Sequence, residues 1–344
     1  MKISLDLICL GLQRYGGISN YWTELIKNLD SQNIEFEVIK PRGSKFTTDS
    51  LFNCSIEEEK LPAYLSRFIP VNKTSSEVLH SSYYRIPSKK SITLITSIYD
   101  FVSENRLKTF SSKIHNFQKK IAIERSSVII CISNFTKSQL IEKYNLEEKN
   151  IFVTHLGVDS KIFYHEPDKQ KSNMQNNLLF VGNRSGYKRF DLAVESLKNI
   201  EELELSIVGP PLSKKEKQYL SNNLKNRWVY LGFLSKDSLR KVYSNSFAFI
   251  FPSDEEGFGL PLLEAMSSGC PVICSKRSSF PEIGGKSVLY SSSQDPEEYI
   301  FQIKSLMDNN HLRKLLREEG INRSKLFSWK NTFDRTFDIY NQFI

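Results

Sequence analysis

Short apolar runs alternate along the chain with segments whose apolar positions recur every three or four residues. Runs rich in β-branched residues predict strands in the first half of the chain: Ile3–Leu10, Phe36–Ile39, Val78–His80, Ile92–Ile98, Val128–Ile132 and Ile151–Thr154. Similar runs predict a second set: Leu178–Val181, Leu203–Val208, Trp228–Leu231, Phe247–Phe251 and Val272–Cys274. Helical spacing predicts the helices between them: Ile18–Leu29, Arg106–Arg125, Asp191–Leu197, Lys214–Leu224, Lys236–Tyr243 and one from Pro261. This alternation predicts the α/β class, with doubly wound parallel sheets covered by helices on both faces.

Two polar segments interrupt the alternation. Glu166–Asn177 has low hydrophobicity and no periodicity, which predicts a linker between two domains. The predicted organisation is a first domain over residues 1–165, the linker over 166–177, a second domain over 178–325 and a last segment over 326–344. Two such domains leave a cleft between them. Pro41–Pro62 is polar and irregular, which predicts a long loop.

The predicted helix over Arg106–Arg125 has one apolar face, which we expect to pack on the core. Its members follow helical spacing: Leu107, Phe110, Ile114, Phe117 and Ile121.

The composition excludes several classes of protein. The 344 residues are 40% hydrophobic and include five cysteines, which argues against disordered, collagen-like and disulfide-scaffold chains. No apolar run approaches the roughly 18–20 residues that a membrane-spanning helix needs. We expect the first apolar run to be a buried strand rather than a signal peptide. The cysteines lack CxxC spacing, so we expect reduced thiols in a cytoplasmic protein.

The net charge of +8 is concentrated locally. Residues 85–125 contain three acidic residues and nine basic ones: Arg85, Lys89, Lys90, Arg106, Lys108, Lys113, Lys119, Lys120 and Arg125. Such a segment attracts an anionic partner, such as phospholipid, a lipid pyrophosphate or nucleic acid, although a solvated helix face gives the same pattern. The segment lacks clustered aromatic residues for base stacking, which argues against nucleic acid.

The strongest candidate for chemistry follows a predicted strand. Glu256-Gly-Phe-Gly-Leu-Pro-Leu-Leu-Glu264 combines a glycine-rich turn with a helix that has Pro261 at its start. The amino end of such a helix offers unpaired N–H groups to a diphosphate, and the glycines let the backbone approach it. Glu256 and Glu264 then suit sugar hydroxyls. For an isolated pair, a helix-dipole role for Glu264 and a solvated Glu256 are the simpler explanation.

Two further loops follow predicted strands. Val181-Gly-Asn-Arg-Ser-Gly-Tyr-Lys-Arg contains Arg184 and Lys188, two cations that suit a pyrophosphate. Arg189 carries the same charge, and an exposed basic loop is the alternative. Gly16 and Gly17 permit close approach of the backbone to a ligand, but they do not form GxGxxG, and a plain turn explains them equally.

The two-glutamate segment, which continues as Ala-Met-x-x-Gly-x-Pro-Val, resembles the signature of the family 4 retaining glycosyltransferases. Further segments follow the order of that family over nearly the whole chain: Gly16-Gly17, Cys131-Ile-Ser-Asn-Phe-Thr-Lys, His155-Leu-Gly-Val-Asp, Val181-Gly-Asn-Arg, Leu231-Gly-Phe-Leu and Phe251-Pro-Ser. The resemblance implies a GT-B fold of two Rossmann-like domains, with a nucleotide-sugar donor mainly on the second and an acceptor mainly on the first. It also implies that a last helix, over Trp329–Phe343, crosses back to the first domain.

The resemblance implies roles for the residues that match its motifs. Glu264 binds the ribose hydroxyls, and Glu256 binds hydroxyls of the donor sugar. Arg184 and Lys188 neutralise the leaving diphosphate. The whole implied donor-binding set is Gly16, Gly17, Gly182, Arg184, Lys188, Phe233, Glu256, Phe258, Gly259, Leu260 and Glu264.

The first domain departs from the family at one position. Many relatives have His-Asp after the strand that corresponds to Ile95–Ile98, whereas this chain has Tyr99-Asp100. The catalytic candidates are therefore Arg184, Lys188, Glu256, Tyr99 and Asp100. A segment that is similar to an acceptor-side segment of some relatives supplies the acceptor candidates His80, Tyr83, Tyr84 and Arg85. A buried structural role is an equal alternative for His80.

Together these features predict a retaining hexosyltransferase of the bacterial lipopolysaccharide and O-antigen type. A nucleotide diphosphate sugar is the expected co-substrate, with no metal and no other cofactor. The expected acceptor is a glycan on a lipid pyrophosphate, and residues 85–125 are expected to attach the protein peripherally to the inner face of the cytoplasmic membrane. A sugar-nucleotide epimerase, a phosphorylase and a non-catalytic sugar-nucleotide-binding protein remain alternatives. The nucleotide base, the sugar, the linkage and the acceptor stay open.

Overall fold

The computed structural model describes residues 2–12, 16–44, 54–72, 74, 76–82, 84–106, 110–166, 176–184 and 186–343. The chain divides into two compact units: residues 1–157 with 329–344, and residues 158–328. Tyr83 and residues 167–175 of the predicted linker lie outside the described ranges. Within those ranges, no helix combines the length and the hydropathy that a bilayer span needs.

The first unit is built on one parallel sheet. Its strands are β1 (Ile3–Asp6), β2 (Phe36–Arg42), β3 (Ser55–Pro62), β4 (Val78–Ser81), β5 (Thr93–Ile98), β6 (Val128–Cys131) and β7 (Ile151–Val153). Its helices are α1 (Ile8–Leu12), α2 (Gly17–Ser31), α3 (Ala63–Ser66), α4 (Val102–Arg106), α5 (Phe110–Arg125), α6 (Asn134–Tyr144) and α14 (Trp329–Phe343). The seven strands run in the order β3-β2-β1-β4-β5-β6-β7.

Two boundaries in this unit differ from the prediction. The apolar run from Ile3 is not one strand, because β1 ends at Asp6 and α1 begins at Ile8. The predicted loop over Pro41–Pro62 is wrong at both ends, because β2 extends to Arg42 and β3 pairs with β2. β3 lies at the edge of the sheet and carries consecutive glutamates on a largely exposed strand. Edge strands are commonly charged in this way, so their sequence lacks the apolar signal of a central strand.

The second unit repeats the architecture. Its strands are β8 (Asn177–Val181), β9 (Glu204–Val208), β10 (Trp228–Gly232), β11 (Ala248–Phe251), β12 (Val272–Ser275) and β13 (Leu289–Ser291). Its helices are α7 (Phe190–Glu195), α8 (Lys214–Leu224), α9 (Lys236–Asn245), α10 (Leu260–Ser267), α11 (Phe280–Gly284), α12 (Pro296–Asp308) and α13 (Asn310–Ser324), with a short 3₁₀ turn at Gly186–Lys188. The six parallel strands run in the order β10-β9-β8-β11-β12-β13.

Both sheets are buried between helices, which explains the continuous apolar runs of their central strands. Every residue of β11 and β12 is buried. The predicted α/β class with two doubly wound parallel sheets is confirmed. The last helix, α14, packs against α2 and therefore belongs to the first unit.

Candidate functional site

The candidate site of the second unit lies where its strand order reverses. From β8 the chain moves outwards to β9 and β10, then returns to β11 on the other side of β8. Loops that follow the two central strands diverge at such a point and leave a crevice at their carboxyl ends. The loops after β8 and β11 contain the two sequence segments that we predicted to bind a diphosphate.

Two charged side chains join these loops. The ammonium of Lys188 donates a hydrogen bond to the carboxylate of Glu256. The backbone reinforces the contact, because the N–H of Asp254 donates to the carbonyl of Tyr187 at 2.8 Å. The fold therefore brings together a cation and a carboxylate that lie 68 residues apart in the sequence. Arg189 does not contact Glu256; it donates to Asp191 and Gln294, and its Nη1 atom lies 3.8 Å from the carboxylate of Asp254 in the loop after β11.

Arg184 is held by the loop after β9. Its guanidinium donates to Glu216 and, at 2.9 Å each, to the carbonyls of Pro210 and Pro211. Glu216 is fixed in turn, because its second oxygen accepts the N–H of Ser213 in a capping box at the start of α8. The Nη1 atom of Arg184 is buried without a hydrogen-bond partner among the described residues. Arg184 and Lys188 thus contact different carboxylates, and Arg184 retains a donor for an additional acceptor.

Glycines allow the loops of this unit to approach each other. Gly209 has φ +145°, and a Cβ atom there would lie 2.2 Å from the carbonyl oxygen of Gly182. Gly259 has φ +91° at the amino end of α10, where a Cβ atom would lie 2.9 Å from the ring of Phe280. Only glycine fits both restraints. Pro261 lies in the first turn of α10, as predicted. The first backbone N–H groups of an α-helix have no acceptor within the helix.

Glu264 lies in α10 with part of its surface accessible. Desolvation raises the pKa of its carboxyl group to about 7, although nearby Lys236 and Tyr243 oppose the shift. A carboxyl group with this pKa changes its protonation state near neutral pH. Of the other predicted donor residues, Phe258 is buried, whereas Phe233 in the loop after β10 exposes 76% of its surface. An exposed aromatic ring on such a loop offers a stacking surface for a planar group.

Two serines that no sequence motif identified also shape this site. The hydroxyl of Ser279 donates to the carbonyls of Glu256 and Phe258, at 3.0 and 2.9 Å. The hydroxyl of Ser278 accepts the N–H of Glu256 at 3.2 Å. Both serines follow β12, the neighbour of β11. Their position after a strand next to the site is the signal that identifies them.

In the first unit, Tyr99 and His80 belong to a buried polar and aromatic cluster. The indole of Trp22 donates to the hydroxyl of Tyr99 at 2.6 Å, and Tyr99 is 4% exposed. The Nδ1 and Nε2 atoms of His80 contact the hydroxyls of Tyr340 and Ser97 at 2.6 and 2.8 Å. Burial lowers the pKa of His80 to about 3, so its ring is neutral near pH 7. The Tyr99 hydroxyl thus has its hydrogen-bond partner inside the core. His80 is also buried, as expected for a structural role.

The other first-unit candidates are also held by the fold. Arg85 is 2% exposed and pairs with Asp6 and Glu59, at 2.9 and 2.6 Å. Its position does not support the predicted acceptor contact. Tyr84 is buried at φ +66°, and its ring packs against His115.

The remaining three candidate residues lie at the starts of two helices. The Asp100 carboxylate accepts the N–H of Val102 at the start of α4. Gly16 and Gly17 open α2.

The predicted basic surface over residues 85–125 needs correction. Arg85 is buried in the ion pair described above. Lys119 is 1% exposed and pairs with Glu104 at 2.7 Å, while its ammonium also donates to the carbonyl of Asp100. These two cations balance buried carboxylates, so they add nothing to the surface charge. Lys113 and Lys120 on α5, with Lys89 and Lys90 before it, are exposed.

Family models match the two units in succession. A family described as "Glycosyltransferase Family 4" matches residues 15–161, and one described as "Glycosyl transferases group 1" matches residues 161–323. Together they cover both candidate regions.

Several curated proteins that are similar to this chain are named as glycosyltransferases. The chain is 25% identical to O-antigen chain mannosyltransferase B of Escherichia coli, over 70% of this chain and 66% of that protein. It is 31% identical to an uncharacterized glycosyltransferase of Methanocaldococcus jannaschii, over 65% and 62% of the two chains. It is 24% identical to the O-antigen chain mannosyltransferase RfbU of Salmonella typhimurium, over 67% and 65%. The chain thus spans less than two thirds of the length of each of these relatives.

Solved structures share the fold. Sucrose-phosphate synthase from Thermosynechococcus elongatus superposes with a TM-score of 0.80 at 17% identity, over 99% of this chain and 98% of that one. Anabaena HepE in complex with UDP superposes with a TM-score of 0.76 at 13% identity, over 99% of both chains. The predicted GT-B fold is confirmed by these likenesses.

Proposed function

Since the chain belongs to the family 4 glycosyltransferases, we propose that it transfers a hexose, with retention of anomeric configuration, from a nucleotide diphosphate sugar to a hydroxyl of a glycan. The observation that carries the proposal is the meeting of Lys188 and Glu256 at the switch point of the second unit. Glu264 follows in the adjacent helix. A nucleotide sugar requires a cation that binds its phosphates and carboxylates that accept hydrogen bonds from its hydroxyls. These three side chains provide both kinds of group.

The proposed chemistry depends on the charge that develops on the leaving diphosphate. Lys188, the free donor of Arg184 and the amino end of α10 stabilise that charge electrostatically. Glu256 accepts hydrogen bonds from hydroxyls of the donor sugar, and Glu264 accepts them from the ribose. The acceptor hydroxyl attacks from the face that the diphosphate leaves, and a phosphate oxygen takes its proton. The C–O bond to the diphosphate breaks as the new glycosidic bond forms, which retains the configuration.

We assign protein cations, rather than a metal ion, to the neutralisation of the diphosphate. Lys188 and Arg184 supply two positive charges from the loop that follows β8. No Asp-x-Asp pair occurs in the sequence. The protein needs no other cofactor in this scheme.

We further propose that the acceptor is a lipid-pyrophosphate-linked glycan and that the reaction occurs at the cytoplasmic face of a membrane. The names of the O-antigen mannosyltransferase relatives support surface polysaccharide synthesis. The exposed cations Lys89, Lys90, Lys113 and Lys120 support attraction to an anionic surface. Each basic residue near such a surface contributes about 1 kcal/mol.

The test measures binding and turnover separately. Thermal unfolding with UDP, GDP, ADP and dTDP identifies the nucleotide, because a ligand at about 100 times its dissociation constant adds about 2.7 kcal/mol of stability. The matching nucleotide sugars are then incubated with the full chain and a lipid-pyrophosphate-linked glycan as acceptor, and the released nucleoside diphosphate is measured. Release supports a transferase. Nucleotide binding without release would indicate a sensor, and an altered sugar nucleotide would indicate an epimerase; either result would overturn the proposal.

A further inference from the structure

Helix α5 leaves an apolar face open. Ile114, Phe117 and Ile121 form the stripe that the sequence assigns to the core, yet Phe117 is 64% exposed. The helix packs on the sheet through a different face, where Ala122 and Ile123 join a buried cluster. The expectation that the stripe packs on the core is therefore wrong. Phe110 belongs to the predicted stripe, but its side chain lies outside the described ones, as does Leu107.

The open stripe forms one wall of a cavity of about 480 Å³, which we call the α5 groove. The opposite wall comes from the turn after α3 and from the segment after β4. The lining residues are Arg67, Phe68, Ile69, Pro70, Tyr84, Arg85, Ile86, Lys113, Ile114, Phe117, Gln118 and Ile121. The volume falls within the ~300–1,000 Å³ of small-molecule sites, and most of the lining is apolar.

Exposed apolar side chains concentrate beside the groove. Five large ones occur between residues 61 and 69: Leu61 at 37%, Tyr64 at 65%, Leu65 at 43%, Phe68 at 56% and Ile69 at 38% exposure. Phe68 and Ile69 also line the groove. Single exposed apolar residues are ordinary, but a contiguous group marks an interaction surface. Trp and Tyr are enriched where a membrane meets water, and Tyr64 belongs to this group.

Positive charge accompanies this apolar surface. Arg67 lines the groove, and Gln118 of α5 holds it there by accepting from its Nε and Nη2 atoms at 3.0 and 2.7 Å. Lys113 is exposed one turn before Phe117. Two carboxylates of the neighbouring strand β3 have cationic partners within the protein, since Glu59 pairs with Arg85 and Glu58 with Lys40. The groove thus combines a hydrocarbon-like interior with cations at its border.

From this combination we infer that the α5 groove and the exposed group at residues 61–69 dock on an anionic phospholipid leaflet. Phe68 and Phe117 enter the acyl region, the groove accepts an acyl chain, and Arg67 and Lys113 contact lipid phosphates. Apolar burial with electrostatic attraction is the physical basis of interfacial binding. The inference deepens the proposed function by locating its membrane contact, and it shifts that contact from the basic residues alone to an apolar site.

Vesicle binding tests the inference without any measurement of activity. The full chain is sedimented with phosphatidylcholine vesicles, with and without phosphatidylglycerol, at low salt. Phe68→Ser and Phe117→Ser should each weaken partitioning by about tenfold. Lys113→Glu should weaken it about fivefold or more, and only on the anionic vesicles. The matched control is Phe301→Ser on α12, where the ring is 67% exposed in the other unit and no loss is expected.

A depth measurement distinguishes insertion from adsorption. Phe117→Trp should be quenched by phospholipids brominated on their acyl chains, whereas Phe301→Trp should not. Adsorption through charge alone would leave both tryptophans unquenched and would overturn the inference. Failure of the wild type to bind anionic vesicles at low salt would do the same.

Two controls separate other causes. Each variant should keep the nucleotide-induced rise in Tm, which shows that it is folded. If Phe117→Ser instead abolishes self-association of the chain while vesicle binding is unchanged, the groove is an interface between copies and the inference fails. If no nucleotide binds in the donor screen, the proposed function fails. The vesicle-binding result does not depend on that screen and still tests the membrane inference.

Discussion

The ammonium of Lys188 and the carboxylate of Glu256 form a hydrogen-bonded ion pair between the loops that follow β8 and β11. Their side chains are 13% and 14% exposed, so the pair lies within the crevice rather than on the open surface. In the proposed mechanism these two groups contact different parts of the donor. Donor binding therefore has to exchange the ion pair for contacts to phosphate and to sugar.

Lys188→Met should lower kcat about 100-fold, because the cation acts on charge that develops as the diphosphate leaves. The measurement is initial rate at saturating donor. Arg189→Met is the matched control, since Arg189 pairs with Asp191 and Asp254 rather than with Glu256, and its loss should change kcat little. An effect on KM alone would mean that Lys188 binds only the ground state.

Glu264→Gln should weaken nucleotide binding about tenfold or more, whichever base is recognised. A hydrogen bond to a charged group contributes roughly 1.5–3 kcal/mol, and the amide replaces only part of the acceptor capacity. Titration calorimetry with the nucleoside diphosphate measures the loss. Unchanged affinity in the folded variant would contradict the assignment to ribose.

The same substitution should stabilise the ligand-free protein at pH 8. Burial raises the pKa of Glu264 from 4.5 to about 7, so the ionised carboxylate destabilises the folded state. The free energy of unfolding of the wild type therefore falls as the pH rises from 4.5 to about 7. The glutamine variant has no carboxyl group to ionise at this position, so it does not show this loss. The gain of Glu264→Gln over wild type should approach about 3 kcal/mol at pH 8 and become small near pH 4.5. Thermal unfolding across this range gives the difference, and a gain that is independent of pH would refute its electrostatic origin.

Transfer should continue after treatment with EDTA, because Lys188 and Arg184 carry the charge that a metal ion supplies elsewhere. The experiment compares rates before and after chelation, with Mg²⁺ or Mn²⁺ added back. An absolute requirement for either ion would overturn the metal-free mechanism.

Arg85→Ala should destabilise the first unit by about 3–5 kcal/mol, because it leaves Asp6 buried without its cation. Burial already raises the pKa of Asp6 to about 6, which shows how weakly the site tolerates that charge. Urea unfolding measures the loss. Lys113→Ala, at an exposed position, should change stability by less than about 0.5 kcal/mol. Equal effects of the two substitutions would refute the structural role of Arg85.

The sequence predicted the second unit better than the first. Strand–helix alternation identified its sheet, and the rule that ligands bind at the carboxyl ends of parallel strands selected the loops of Lys188 and Glu256. Local pattern was sufficient there because the relevant residues sit in loops directly after strong apolar strands.

Partners distant in sequence explain most of what was missed. Arg85 meets Asp6 across 79 residues, and counting charges along residues 85–125 cannot detect such a pair. Lys119 differs, because its partner Glu104 lies inside the same segment; the charge count includes both residues but cannot show that they form a buried pair. The stripe of α5 obeyed helical periodicity, but periodicity shows only that a face is apolar and not what covers it.

The contact between His80 and Tyr340 joins residues 260 positions apart within one unit. The second unit is continuous in sequence, whereas the first needs residues 329–344 to supply α14. During synthesis from the amino terminus, the ribosome therefore releases all of residues 158–328 before the His80 ring can meet its hydroxyl partner. Domains commonly fold in the order of their synthesis. Here the unit that begins first in the sequence is completed last, because its final helix, α14, is synthesised after the whole of the other unit.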